Sequence, residues 1–367
     1  MRVLVVNAGS SSVKLRVVGG EDEIAAKADL GAPGTDLADR LDEFVGCAGP
    51  LDAAGHRVVH GGPRFRDAVF LDETTRSELD DVSALAPLHN PPALAAIDAL
   101  SRLRPELASV VCFDTAFHAT LPAEAATYAL PADWVARWGI RRYGFHGLSC
   151  TWATARTAEL LGWEPRHGRI VVCHLGAGAS VTAVNDGRSA DTTMGFTPLE
   201  GLVMATRPGD VDPGAITWLV ANGIGIEDLD DALEHRSGLA ALSGQTSGEM
   251  RALLDSRDDG SAPAALAIGV YLHRLRAKIA AMAAAMGGLD ALVFTGGVGE
   301  NSSAIRAETC SRLGWLGVEI DERANLATAG DDTNVSAAGA PVKTVVVHAR
   351  EELVIAADCR RLLAGRS

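Results

Sequence analysis

Three observations predict an α/β protein built from two related domains. The 367 residues exceed a single domain of about 100 to 200 residues. Short β-branched runs alternate with Ala-rich helical stretches, as in chains whose helices cover a largely parallel sheet. One pattern, an apolar strand, a Gly/Ser turn, Ser-Val and a second strand, occurs at 3–18 and again at 170–184, as duplication would leave it.

Strands are expected at 3–6, 110–113, 170–173, 292–295 and 342–347, where β-branched residues cluster. Helices are expected at 93–103, 150–161, 213–222, 262–287, 302–313 and 351–363. The 262–287 segment is the longest and most apolar of these and needs a cover, either the sheet or a second subunit. Aligning Ser12-Val13 with Ser180-Val181 relates the two hairpins.

Composition excludes several classes. With 47% apolar residues the chain has enough material for two cores and does not resemble a disordered segment or a fibre. The 47 acidic residues against 33 basic ones give a charge of −14, which repels phosphate backbones and anionic membranes. No nucleic-acid or membrane partner is expected. The first apolar run gives way at once to Asn7-Ala8-Gly9-Ser10, unlike a signal peptide. The longest uncharged apolar stretch, 279–289, is far short of the roughly 20 residues that span a bilayer. Six cysteines, at 47, 112, 150, 173, 310 and 359, form no CxxC pair, so reduced thiols and a cytoplasmic location are expected.

Small-residue turns expose backbone N–H groups that suit phosphate oxygens. Asn7-Ala8-Gly9-Ser10-Ser11-Ser12-Val13-Lys14 is one, and Lys14 is one of four lysines in the chain. By itself it also reads as an ordinary hairpin turn. His174-Leu175-Gly176-Ala177-Gly178 is a second, and Gly296-Gly297-Val298-Gly299-Glu300-Asn301 is a third that follows a strand and opens a helix. Ser302 stands where a dinucleotide fingerprint needs its last glycine, and no GxxxxGK[ST] occurs. A nucleotide therefore needs another scaffold.

Between these loops lie clusters rich in His, Arg and Asp: 55–62, 88–91, 113–118, 141–147 and 206–210. A histidine beside apolar residues is ordinarily a hydrogen-bonded core residue, and His56, His60 and His118 are read that way. His146 and Cys150 lack two further ligands at zinc-site spacing.

The segments Leu4 to Lys14, His56 to Gly62, Phe113 to His118, Arg142 to Gly147, Thr206 to Pro213 and Phe294 to Asn301 together resemble the acetokinase family. The likeness runs in order from residue 3 to about 355. It implies the architecture of the acetate and sugar kinase, Hsp70 and actin superfamily: two duplicated actin-like (ribonuclease H-like) domains with an interdomain nucleotide cleft. The expected domains are 1–116 plus 352–367, for the acyl substrate, and 117–351, for nucleotide and dimerisation. The implied activity is reversible, Mg2+- or Mn2+-dependent transfer of the ATP γ-phosphoryl group to acetate, by a homodimer.

Carried over residue by residue, the resemblance implies that Asn7 and Glu351 bind the metal, with Glu352 as the fallback. Asp114, His146 and Arg207 become catalytic, and Arg57, Val59, Leu88, Phe145 and Pro198 bind the acyl substrate. Lys14, His174, Leu175, Gly176, Ala177, Gly178, Glu249, Met250, Arg251, Gly297, Val298, Gly299, Glu300 and Asn301 contact ATP or ADP. The chain departs from the family pattern at Ala177, usually Asn, at Glu249, usually Asp, at Cys150, usually His, and at Ala349-Arg350, usually Thr-Asn.

A carboxylic acid is ionised at pH 7 and needs no base before attacking phosphorus. The barrier is electrostatic, so positive groups must offset the charge on the phosphoryl in flight. Asp114 is accordingly expected to orient an arginine or a metal-bound water, although the resemblance implies proton chemistry. Propionate kinase activity is the nearest alternative. An actin- or Hsp70-like nucleotide switch without carboxylate chemistry is the alternative from another class.

Overall fold

A computed structural model describes residues 1–9, 12–328 and 330–365; Ser10 and Ser11 of the first small-residue turn lie outside the described residues. The chain forms two compact units, one of 1–119, 145–152 and the residues from Arg350 onward, the other of 120–144 and 153–349.

In the first unit β1 (Val3–Ala8), β2 (Val13–Val18), β3 (Ile24–Leu30), β4 (Ala53–Val58), β5 (Val69–Phe70) and β6 (Ser109–Phe113) form one sheet in the order β3-β2-β1-β4-β6-β5. β1, β4 and β6 run parallel at its centre, and β2, β3 and β5 are antiparallel to their neighbours. Leu4, Val6, Leu15 and Ala54 face Leu41 and Val45 of the helix Leu37–Cys47 and Leu100 of the helix Asn90–Leu103. Val3, Val5, Val110 and Cys112 face Ile355, Ala356 and Cys359 of the helix Glu351–Ala364. Burial on both faces explains why β1 reads as a continuous apolar run rather than an alternating one.

β4, sequence Ala-Ala-Gly-His-Arg-Val, escaped the strand expectations because a glycine and two polar residues interrupt it. Gly55 is required there. A Cβ would fall 2.3 Å from Ile355 Cγ2 and 2.8 Å from Cys359 Sγ, so the terminal helix could not lie on the sheet.

In the second unit β7 (Arg169–Leu175), β8 (Ala179–Asn185), β9 (Arg188–Thr192), β10 (Ala291–Thr295), β11 (Thr333–Asn334) and β12 (Lys343–Val346) form a sheet in the order β9-β8-β7-β10-β12-β11. Strand for strand this is the permutation of the first sheet, with the same parallel and antiparallel pairs. Even the irregularity recurs, at Val17/Val18 between β2 and β3 and at Ala183/Val184 between β8 and β9. The duplication is therefore carried by topology and register.

Register also corrects the sequence alignment of the two hairpins. Lys14 lies opposite Asn7, and Ser180 lies opposite His174. Lys14, not Ser12, is thus the counterpart of Ser180. A slip of two residues keeps every side chain on its face, so the pattern alone did not reveal it.

The helix Ala262–Ala285 ends before 287, at a turn where Gly287 takes φ +68°. Its apolar face, with Ile268, Tyr271, Leu275 and Ile279, packs on β7, β8 and β9 of its own unit, so the sheet is the cover it needs. The expected 302–313 helix ends early, as Ser303–Cys310, with Ser302 capping it through Ile305 N–H, and the third small-residue loop before it is itself a short helix, Gly296–Asn301. All six cysteines are free thiols, five of them buried. No helix among the described residues is long and apolar enough to cross a membrane.

Candidate active site

In the first unit, register sets a row of side chains across the sheet. Lys14 on β2 is opposite Asn7 on β1, and Asn7 is level with Arg57 on β4. All three share the face on which the helix Glu351–Ala364 packs, at the carboxyl ends of the parallel strands, where open α/β sheets bind ligands. Asp114 follows β6 directly, and Glu351 opens the terminal helix. Neither long-range approach is visible from sequence distance.

These residues form one network. Arg57 donates from Nε to Asp114 Oδ1 at 3.0 Å and from Nη2 to Oδ2 at 2.5 Å. Its Nη1 donates to Asn7 Oδ1 at 3.1 Å, and Asn7 Nδ2 donates to Glu351 Oε2 at 3.3 Å. Glu351 Oε2 is also 3.8 Å from Arg57 Nε. Burial alone would lower the Arg57 pKa, but the charges of Asp114 and Glu351 outweigh it and hold the guanidinium above its ordinary value. Burial pushes the Glu351 carboxyl up, Arg57 opposes that, and nearby Asp114 and Glu352 add to it. Bidentate pairing fixes the plane of the guanidinium.

His146 sits beside this network through its neighbour. Gly147 N–H donates to Asp114 O at 2.9 Å, and a Cβ on residue 147 would fall 2.2 Å from that oxygen. His146 itself holds φ +59°, a left-handed conformation that costs a non-glycine residue of order 1 to 3 kcal/mol and gathers at functional sites. Val59 and Phe145 are buried and Leu88 is exposed. Of the three histidines read as core residues, His60 accepts from Gly62 N–H through Nδ1 at 2.8 Å, and His118 Nε2 lies 2.9 Å from Phe145 O. His56 is different: it is 1% exposed, and neither ring nitrogen has a hydrogen-bond partner among the described residues. Burial pushes the pKa of His56, and of His118, down to about 4.

In the second unit the equivalent row is Ser180, His174 and Thr295. The duplicate has exchanged Lys14, Asn7 and Arg57 for residues without a permanent charge. The side chain of Leu175 is buried, and the following turn closes through Gly176 N–H to Gly178 O at 2.9 Å, with Ala177 O accepting from Ala205 N–H at 3.1 Å. Gly296 takes φ +77°, and a Cβ there would fall 2.8 Å from Leu175 O, so this glycine lets the third loop leave β10 against β7. Gly297 and Asn301 are exposed, whereas Gly299 is buried and Val298 and Glu300 are half-buried. Glu300 Oε1 accepts from both Gly296 N–H and Ala349 N–H, each at 2.9 Å.

Arg207 lies in a loop that small residues allow to fold tightly. Gly238, at φ +66°, and Gly248 approach the backbone at Met204 and Ala205, where a Cβ would come within 2.3 Å and 2.2 Å of carbonyl oxygens. Arg207 Nε is 3.1 Å from Glu234 Oε2, and Nη1 donates to Pro198 O at 3.3 Å. Pro198 and Arg207 thus share a contact within this unit. Glu249 precedes the helix Met250–Asp258, in which Met250 is buried and Arg251 exposed. Arg350, the added cation before Glu351, is exposed.

Two residues in these surroundings went unread in the sequence. Glu234 holds Arg207, but it is one of many acidic residues on the helix Ile226–His235. Arg306 is 1% exposed and donates to Gly299 O, Glu300 O, Asn325 O, Asn325 Oδ1 and Thr328 Oγ1, bracing the third loop from behind. An arginine five residues after that loop was the available signal.

The oxygens of Asn7 and Glu351 are hard donors of the kind Mg2+ or Mn2+ takes. Among the described residues no group of three His, Cys, Asp or Glu side chains could hold an ion unaided. That donor set fits a cation that keeps water and phosphate ligands.

The model of the acetokinase family matches residues 35–357. The acetate kinase of Nostoc punctiforme is 43% identical over 330 residues, 90% of this chain and 79% of that protein. The acetate kinase of Thermotoga maritima is 41% identical over 99% of both chains. Among solved structures, Porphyromonas gingivalis acetate kinase superposes with a TM-score of 0.91 at 34% identity, over 99% of both chains. A propionate kinase from Francisella tularensis does so with a TM-score of 0.90 at 34% identity, over 97% of this chain and 98% of that one.

Proposed function

Because the chain belongs to the acetokinase family, we propose that it catalyses reversible transfer of the ATP γ-phosphoryl group to acetate, giving acetyl phosphate and ADP. A carboxylate oxygen attacks the γ-phosphorus in line, the bond from that phosphorus to the β,γ-bridging oxygen breaks, and ADP leaves with the electron pair. The observation that carries the reading is the Arg57 network: a half-buried guanidinium held in a fixed plane by the buried Asp114 and shared with Asn7 and Glu351.

Each residue then has a physical task. Arg57 binds and orients the substrate carboxylate, and Asp114 orients Arg57 rather than removing a proton that the ionised substrate lacks. Val59, Leu88, Phe145 and Pro198 take the methyl group. Arg207 and His146 offset the charge on the equatorial phosphoryl oxygens, where one missing donor costs about 10²-fold or more in turnover. Lys14, the turn at 174–178, the 249–251 segment and the loop at 297–301 take the nucleotide. Asn7 and Glu351 would hold Mg2+ or Mn2+, which would supply positive charge to the phosphates. Lys14 and Pro198 apart, the first unit is assigned to the carboxylate and the second to the nucleotide.

The six free thiols support a reducing, cytoplasmic setting. A homodimer is part of the proposal. The helix Pro213–Ala221 is apolar, yet none of its residues is buried, and Trp218 is 63% exposed. It is a surface that a second copy would cover.

Propionate remains the nearest alternative acceptor, because a structure at the same 34% identity is a propionate kinase and one methylene in an apolar pocket is worth only about 1 to 3 kcal/mol. Trapping acyl phosphate with hydroxylamine, in the presence of ATP, Mg2+ and acetate, propionate or butyrate, tests the reading. Acetohydroxamate as the main product is expected. ATP hydrolysis at one rate whatever acid is added, with no hydroxamate, would favour a nucleotide switch.

A further inference from the structure

We propose that Asn90 is the positioning residue that sets the acyl-chain selectivity of this site, an inference that rests on the acetate kinase reading above. Asn90 is 1% exposed and uses both the oxygen and the nitrogen of its amide on the backbone of one residue thirty positions away. Its Oδ1 accepts from His60 N–H at 3.1 Å, and its Nδ2 donates to His60 O at 3.0 Å. The amide acts as a short substitute strand. β4 is paired with β6 as far as Val58 and Phe113, and the ladder stops there among the described residues. The turn after the strand is instead satisfied by side chains: Asn90 at His60, Thr115 Oγ1 at Gly61 N–H (3.0 Å) and His60 Nδ1 at Gly62 N–H (2.8 Å).

This clamp joins the three acyl-pocket walls of the first unit. Val59 immediately precedes His60, and Leu88 lies two residues before Asn90, in a turn whose His89 and Asn90 N–H groups both donate to Ala86 O. The third wall, Phe145, meets the His60 ring edge-on at a centroid distance of 5.4 Å and an interplanar angle of 71°. Its backbone is held in turn by His118 at Phe145 O. The spacing of Val59, Leu88 and Phe145 therefore passes through His60, and His60 is fixed by Asn90. Loosening the clamp lets the walls separate, which favours longer acids over acetate. Arg57, two residues before Val59, keeps its own partners, and none of the residues assigned to the nucleotide takes part in the clamp, so nucleotide use is not disturbed.

The test compares kcat/KM for acetate, propionate and butyrate, with KM for ATP, in the wild type, Asn90→Ala and Asn90→Asp. The Asp variant keeps the side-chain shape and the acceptor for His60 N–H but loses the donor to His60 O, so it is read if the Ala variant does not fold. The expected result is a rise of fivefold or more in the propionate-to-acetate ratio and in KM for acetate, with KM for ATP within twofold of the wild type. A folded variant that keeps the wild-type ratio, or whose KM for ATP rises as much as its KM for acetate, overturns the inference while leaving the kinase reading intact. A wild type that phosphorylates none of the three acids overturns that reading, and the inference falls with it.

Discussion

Asp114 grips Arg57 with both carboxylate oxygens, at 3.0 Å and 2.5 Å, and through its own carbonyl holds the Gly147 N–H next to His146. One residue thus governs the direction of a guanidinium and the start of the segment that carries an imidazole. Asp114→Asn keeps the size of the side chain but removes its charge and one acceptor. It is expected to lower kcat for acyl phosphate formation by about 10²-fold or more and to raise KM for acetate more than KM for ATP. Steady-state kinetics on the folded variant check this. An unchanged KM for acetate would remove Arg57 orientation as the role of Asp114.

Arg207 is held by Glu234 at 3.1 Å and by the carbonyl of Pro198 at 3.3 Å. In its proposed role on charge developing in the transition state, it should affect turnover before binding. Arg207→Ala is therefore expected to lower kcat far more than it raises either KM. Glu234→Gln, which keeps an acceptor near Nε, is expected to lower kcat by a smaller factor. Equal losses in kcat from Glu234→Gln and Arg207→Ala would point to charge balance rather than aim.

His56 makes a prediction about pH. Its folded pKa, about 4, lies below the unfolded value of 6.5, because the buried ring, without a hydrogen-bond partner among the described residues, resists charging. The neutral form stabilises the fold above pH 6.5, and that stability is lost as pH falls from 6.5 toward 4, on the order of 3 kcal/mol in all. His56→Leu is expected to flatten the stability curve across that window without loss at pH 7.5. Denaturant melts at several pH values check it, and an unchanged slope would contradict it.

Arg306 donates to five acceptors behind the third loop, and burial pushes its pKa down to about 10, still well above neutrality. Arg306→Met removes the donor from all five acceptors, at a cost of about 1 to 3 kcal/mol for each buried group left unpaired. A lower Tm and a smaller rise in Tm on adding ATP are expected. Retention of the full ATP-induced rise would separate Arg306 from the nucleotide loop.

The exposed helix Pro213–Ala221 supplies a test of assembly. Trp218→Glu is expected to shift the protein from dimer to monomer in sedimentation velocity, since Trp218 offers the largest exposed apolar side chain on that helix. A wild type that is monomeric at micromolar concentration would overturn the dimer.

The legible parts of this protein were those written in local pattern. β1, β6, β7, β10 and β12 stood out as β-branched runs, and the glycine loops advertised themselves by composition. β4 did not, because Gly55 serves close packing under the terminal helix and Arg57 pairs with Asp114, and both dilute the strand signal. Asn7, Arg57, Asp114 and Glu351 were named from a family likeness. Their assembly depends on parallel strand order and on a helix that returns after more than three hundred residues, which no local pattern encodes. Asn90, Glu234 and Arg306 act through other residues' backbones and side chains, and their types are common in any sequence, so their roles emerged with the coordinates.

Direct attack by a carboxylate oxygen on phosphorus is the central claim, and an oxygen label follows it. Acetate carrying 18O in both positions is incubated with ATP, Mg2+ and the protein, the acyl phosphate is cleaved at its carbonyl carbon by hydroxylamine, and the released phosphate is read by mass spectrometry. One 18O per phosphate is the predicted result, because the bridging oxygen must come from acetate. Acyl phosphate whose released phosphate carries no label would contradict the account.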